Sequence, residues 1–152
     1  MFEKVKERIA QATKPKPKGS IAVFIDGPNI LRKELGVDLG EVKRLIGKFG
    51  KIKIGKVFLN QYANNKLIEA VVNQGFESVI TVGDIDVSMA ADAVEAVYNP
   101  TINTIAFVTR DSDFLPAIVK AKRAGKETIV VLAEEASAAA LKNNADQVIV
   151  LK

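Results

Sequence analysis

The chain has 152 residues, nearly half of them apolar and about a quarter charged, with net charge +4 and a pI near 9.3. That length suits a single domain with a real hydrophobic core, and a mildly basic balance permits a polyanionic partner. Cysteine and histidine are both absent, which excludes disulfides, thiolate catalysis, Cys/His zinc sites and a histidine general base. Hydrolytic chemistry would have to use carboxylates, lysine, a hydroxyl or a metal-bound water.

Phe2, Val5 and Ile9 recur at helical spacing, so residues 2–13 are expected to form a helix. Lys14-Pro-Lys-Pro-Lys-Gly19 breaks that pattern and reads as a linker. The expected organisation is a basic helix and linker over residues 1–19, followed by one domain over residues 20–152. The N-terminus lacks the apolar core of a signal peptide, and no apolar run approaches the roughly 18 residues of a membrane span. A cytoplasmic protein without membrane contact is expected.

From Ser20 strands and helices alternate. Ile21–Ile25 reads as a buried strand, and Asp26-Gly-Pro-Asn29 as a turn into a short helix. Asp38 and Glu41 form a capping box for a helix running to about Lys48, with Phe49 continuing its apolar stripe into the core. Lys51–Asn60 is expected as a strand, Asn64–Gln74 as a helix ended by Gly75, and Phe76–Val82 as a strand. After the loop Gly83–Asp86, a helix is expected over Val87–Tyr98 and a strand over Asn103–Thr109. A turn at Arg110–Asp113 leads to a helix over Phe114–Ala124, then a strand at Glu127–Leu132, a helix at Glu135–Asn143 and a strand at Asp146–Leu151. Such alternation predicts an α/β fold: one three-layer α/β/α domain around a mostly parallel, Rossmann-like sheet. Ligands of such sheets bind beyond the C-terminal strand ends, where strand order reverses.

The acidic residues sit where that rule puts a site. Asp26 follows the first strand, Asp84 and Asp86 the third, and Asp111 and Asp113 the fourth. Gathered carboxylates repel unless a cation joins them, and Mg2+ or Mn2+ is the natural partner for hard oxygen ligands. Two such ions about 4 Å apart can activate water against a phosphodiester without histidine. Each aspartate also has a plainer role. Asp26 can shape a turn, Asp86 can cap the helix at Val87, and Asp111 or Asp113 can cap the helix near Phe114. Asp92 can simply face solvent. Three strand ends supplying carboxylates together favour the site.

Three stretches carry a family resemblance. Val23-Phe-Ile-Asp26-Gly-Pro-Asn29 resembles the opening motif of NYN-domain proteins, of the PIN-like ribonuclease superfamily. Asp86-Val-Ser-Met-Ala-Ala-Asp92-Ala resembles their central helix, and Val108-Thr-Arg-Asp111-Ser-Asp113-Phe114 their late motif. The resemblance runs from about Ile21 to the C-terminus. It implies a PIN-like fold and metal-dependent endoribonuclease chemistry. Metal and catalytic roles carry onto Asp26, Asp86, Asp111 and Asp113, a catalytic role onto Asp92, and substrate-binding roles beside them onto Asn29 and Ser112. Arg110 has no counterpart in the family pattern: it can contact substrate phosphate, or pair with a carboxylate and weaken metal binding. Two departures stand out. Thr109-Arg110 replaces a Ser-Gly common in the family, and Gly83-Asp84-Ile85 replaces Lys-Gly-Val.

The expected partner is RNA in single-stranded form. A homodimer or a protein partner is compatible with the chain. Basic residues cluster at Lys4–Lys18, at Lys43, Arg44, Lys48, Lys51, Lys53 and Lys56, and at Lys120, Lys122, Arg123 and Lys126. All three are candidates for phosphate contacts, the N-terminal segment foremost, while Tyr62 is a candidate stacking residue. The alternative function is a non-catalytic RNA-binding or adaptor domain of the same fold. A receiver-type signalling domain is disfavoured because Glu134-Glu135, not lysine, follows the fifth strand. Dinucleotide binding lacks its glycine fingerprint.

Overall fold

The computed structural model describes residues 19–31, 36–134 and 139–151. The expected N-terminal helix and its linker up to residue 18 fall outside that range, as does the start, residues 135–138, of the helix expected at Glu135–Asn143. Strand β1 (Ser20–Asp26) is followed by the one-turn helix α1 (Gly27–Ile30) and by α2 (Leu39–Ile46). Then come β2 (Lys51–Asn60), α3 (Asn65–Asn73), β3 (Glu77–Thr81), α4 (Ile85–Val97) and β4 (Thr104–Val108). A 3-10 turn at Ser112–Phe114 leads into α5 (Leu115–Arg123), β5 (Glu127–Leu132), α6 (Ala139–Asn144) and β6 (Gln147–Val150).

The six strands form one sheet in the order β3-β2-β1-β4-β5-β6, every pair parallel. The chain winds outward from β1 through β2 to β3, then crosses back to place β4 on the other side of β1. The reversal of strand order therefore lies between the C-terminal ends of β1 and β4. A crevice between outgoing connections opens at such a point.

β1, β4 and β5 are buried on both faces, which explains their unbroken runs of Ile, Val and Phe. On one face a row of rings, Phe24, Phe58, Phe107 and Phe114, packs with centroid spacings of 6.3–6.4 Å. Met89 and Ala93 of α4 and Ile118 and Ala121 of α5 close over it. On the other face Val23, Ile25, Val57 and Val108 pack with Val42 and Ile46 of α2 and Val71 of α3. Burying one such side chain contributes about 1.5–3 kcal/mol, so these layers fix the positions of the strand ends.

Two local expectations change. Phe49 is exposed rather than in the core, because α2 ends at Ile46 and the chain turns at Gly47, taking Phe49 off the apolar stripe. The helix carrying Asp86 begins at Ile85, with Asp84 as its N-cap, so Asp86 lies inside the first turn instead of capping it.

Candidate active site

Asp26 ends β1 and is 1% exposed. The side-chain amide of Asn29, one turn on in α1, donates to its Oδ2 at 2.7 Å. The buried Thr109 hydroxyl lies 3.4 Å from the same oxygen. Gly27 makes this corner possible, because a β-carbon there would collide with the Phe58 carbonyl and the Leu59 side chain of β2. Burial pushes the Asp26 carboxyl above its ordinary range, the hydrogen bonds from Asn29 and Thr109 oppose that, and the charge of Asp111 adds to the rise.

Asp86 and Asp111 approach from separate elements, α4 and the turn after β4. One oxygen from each of Asp86, Asp111 and Asp113 lies within 4.8 Å of the other two. Both loops use the same local device. Asp84 Oδ1 accepts from the Asp86 amide at 2.9 Å, and Asp111 Oδ1 accepts from the Asp113 amide at 2.8 Å. Each capping aspartate thereby fixes the backbone of the aspartate two residues later. Gly83, at φ +100°, admits the turn that starts the first of these caps.

The Asp86 carboxyl is pushed up to about 7. Burial is the first cause, followed by hydrogen bonding and repulsion from Asp111 and by the charges of Asp26 and Asp84. Among the described residues no ion pair neutralises Asp86, Asp111 or Asp113. A divalent cation would relieve this crowding, and three carboxylates are the hard oxygen donors that Mg2+ or Mn2+ takes. The donor set therefore fits such an ion.

Of the expected site residues, Asp86, Asp111 and Asp113 come together. Asp26 is buried close enough to raise Asp86 but stands outside the three-oxygen group, with its Oδ2 engaged by Asn29 and Thr109. Asn29, Arg110 and Ser112 line one open depression of about 330 Å3 together with Asp111. Asp92 goes elsewhere: its carboxylate pairs with Lys56 of β2 at 3.1 Å, beside a separate cavity of about 130 Å3. Thr109 is an added member. Its Oγ1 accepts from the Asp111 amide at 3.1 Å while facing Asp26, and the only sequence signal for it was a small polar residue before the late Asp-Ser-Asp.

Three lysines of the second and third basic clusters reach backbone carbonyls at or just beyond helix ends. Lys43 Nζ donates to the Gln74 carbonyl, Lys122 Nζ to Asn144, and Lys126 Nζ to Asn99 and Ile102. Lys120 lies over the Tyr98 ring, and Arg44 pairs with Glu41. In a parallel α/β fold these helix C-termini return to the sheet edge opposite the carboxylates. Their partial negative charge accounts for the lysines there.

The fold is shared with a protein of unknown function from Vibrio parahaemolyticus, VPA0982. The TM-score is 0.79 at 19% identity, over 92% of this chain and 97% of that one. The chain is 58% identical over 139 residues to an uncharacterised protein of Methanocaldococcus jannaschii, MJ0482. That alignment takes in 91% of this chain and spans 58% of the relative's length. Residues 20–152 match the NYN domain. With its motifs on the strand ends and its match running over residues 20–152, the chain belongs to the NYN-domain family.

Proposed function

We propose that the chain is a metal-dependent endoribonuclease. The observation that carries this reading is the convergence of Asp86, Asp111 and Asp113 at the switch point of the sheet with no cationic side chain paired to them among the described residues. In it, Asp86, Asp111 and Asp113 hold Mg2+ or Mn2+, and Asp26 adds a fourth carboxylate beside them. The bound cation would supply charge neutralisation at the scissile phosphate and a more acidic water. Asn29 and Thr109 hold the Asp26 carboxylate in one orientation. Arg110, exposed at the mouth of the depression, places its guanidinium where it can meet a phosphate oxygen. Ser112 offers a hydroxyl to the same strand. RNA is favoured as the substrate by membership of a family that resembles the PIN-like ribonucleases.

The test is cleavage of a labelled single-stranded RNA at low salt with Mn2+, with Mg2+ and with chelator. An Asp111→Asn protein purified identically guards against contaminating ribonuclease. Metal-dependent cutting lost in the variant supports the reading. Equal cutting by both proteins, or none by either, refutes it and leaves an RNA-binding domain without turnover.

A further inference from the structure

A second depression, of about 300 Å3, opens on the same edge of the sheet as the carboxylates. Gly27 and Pro28 line it, and the next residue, Asn29, lines the depression over Asp111. A single turn of helix thus separates the two. Leu59, Leu67 and Pro28 give this depression an apolar wall, while Asn60, Tyr62 and Asn64 bring it polar groups and an aromatic ring.

The Asn60–Asn64 turn is tightly pinned. The Ala63 amide donates to the Asn60 carbonyl at 3.1 Å. The Tyr62 amide donates to Asn60 Oδ1 at 3.0 Å, and the Leu67 amide to Asn64 Oδ1 at 2.8 Å. A backbone N–H requires the oxygen of each side-chain amide, so the Nδ2 groups remain as donors. Neither has a partner among the described residues. Tyr62 itself is 83% exposed and anchors no core, although its backbone is held in place. An exposed ring beside an apolar wall and two uncommitted donors is the equipment for stacking one flat heteroaromatic group and bonding its carbonyl oxygens.

We infer that this depression is a subsite for one unpaired nucleobase of an RNA strand, stacked on Tyr62 and bonded by Asn60 and Asn64, adjoining the phosphate held at the carboxylates. The inference rests on the ribonuclease reading and narrows its substrate. A base inside a duplex already has both faces stacked and its edge paired, so the subsite selects single-stranded RNA.

The chain has two tyrosines and no tryptophan, so 3-fluorotyrosine gives two fluorine NMR signals, and Tyr98→Phe identifies that of Tyr62. The Asp111→Asn background keeps added RNA intact. Oligouridylate is titrated against an abasic ribose-phosphate strand of equal length. The Tyr62 signal is expected to move with oligouridylate and stay still with the abasic strand. Tyr62→Ala is expected to weaken oligouridylate binding by about tenfold while leaving abasic affinity unchanged, and Tyr62→Phe to bind like the parent. At 83% exposure, neither change removes a buried contact. Equal movement with the abasic strand, or unaltered affinity in Tyr62→Ala, overturns the subsite. A Tyr62 signal that follows protein concentration alone marks a second copy in the depression and overturns it too. If the parent chain cuts RNA with metal while Tyr62→Ala binds normally, the subsite alone falls. If the parent neither binds nor cuts RNA, both readings fall.

Discussion

The Thr109 hydroxyl ties together two aspartates that the chain supplies 85 residues apart, facing the Asp26 carboxylate at 3.4 Å and accepting the Asp111 amide at 3.1 Å. Asp26 ends β1, and Thr109 follows β4, whose Val108 pairs with Ile25. The contact therefore closes the gap where strand order reverses. One buried oxygen sets the spacing between a carboxylate at the end of β1 and the turn that presents Asp111 and Asp113.

Replacing that hydroxyl with a methyl group of similar size tests its role. Thr109→Val leaves the Asp111 amide without its acceptor and Asp26 without one donor. The loss is expected to cost about 1–3 kcal/mol of stability, because buried polar groups are left unpaired. Cleavage of RNA is expected to fall by about ten- to a hundredfold through misplacement of Asp111. Thr109→Ser, which keeps the oxygen, should recover most of both. Urea unfolding and initial cleavage rates on the same preparations check this, and equal activity in the valine and serine variants would refute it.

Crowded carboxylates weaken the metal-free fold. Asp86→Asn removes one charge from a group of three without altering its size. The metal-free protein is expected to gain up to about 1 kcal/mol, or about 2–4 °C in Tm for a domain of this size. The same variant should lose most of the Tm increase that Mg2+ or Mn2+ gives the parent, because a ligand is gone. Thermal unfolding with metal and with chelator measures both. A variant that keeps the full metal-induced increase would place the ion away from Asp86.

A pH dependence follows from burial of these carboxyls first, and from the same repulsion after it. Folding raises the Asp86 carboxyl from its ordinary value of 3.8 to about 7, and raises Asp26 as well. A carboxyl raised in this way favours the folded state in its protonated form. Its stabilising share is complete below the unfolded value and is lost as pH rises through about 7. The chelated protein should therefore lose stability across that window. Metal displaces the proton, so Mg2+ affinity should climb by up to about tenfold per pH unit below 7 and level off above it. Calorimetric titration at several pH values tests this, and an affinity flat from pH 5 to 8 would refute the coupling.

The sequence made the alternation of strands and helices plain, because hydrophobic period and turn residues are local. It also placed Asp26, Asp111 and Asp113 at strand ends for the same reason. Asp84 and Asp86 were harder to tell apart. Either can cap a helix, and which one does depends on a two-residue shift in where α4 starts, set by how Ile85 and Met89 pack on the sheet. Phe49 was misread because a helical stripe does not announce its own end. Thr109 was passed over because a buried threonine at a strand end looks like ordinary β-branched packing, and its partner in β1 becomes its neighbour only through the crossover. Lys43, Lys122 and Lys126 read as part of a basic surface because sequence does not show that their tips reach backbone carbonyls near helix ends.

Asp92 is the residue on which motif and geometry part most clearly. The central motif groups it with Asp86, yet six residues of helix carry it down α4 to Lys56. Both side chains are partly exposed, 24% for Lys56 and 30% for Asp92. A pair of that kind contributes about 0–1 kcal/mol and holds α4 against β2. Asp92→Asn is therefore expected to keep the metal-induced rise in Tm and to cut RNA within about threefold of the parent, given so small a pairing energy. Lys56→Met should behave alike, since it removes the same contact from the other side. Loss of metal response in Asp92→Asn but not in Lys56→Met would show that the Asp92 carboxylate reaches the ion, and the motif would then outrank the observed pairing.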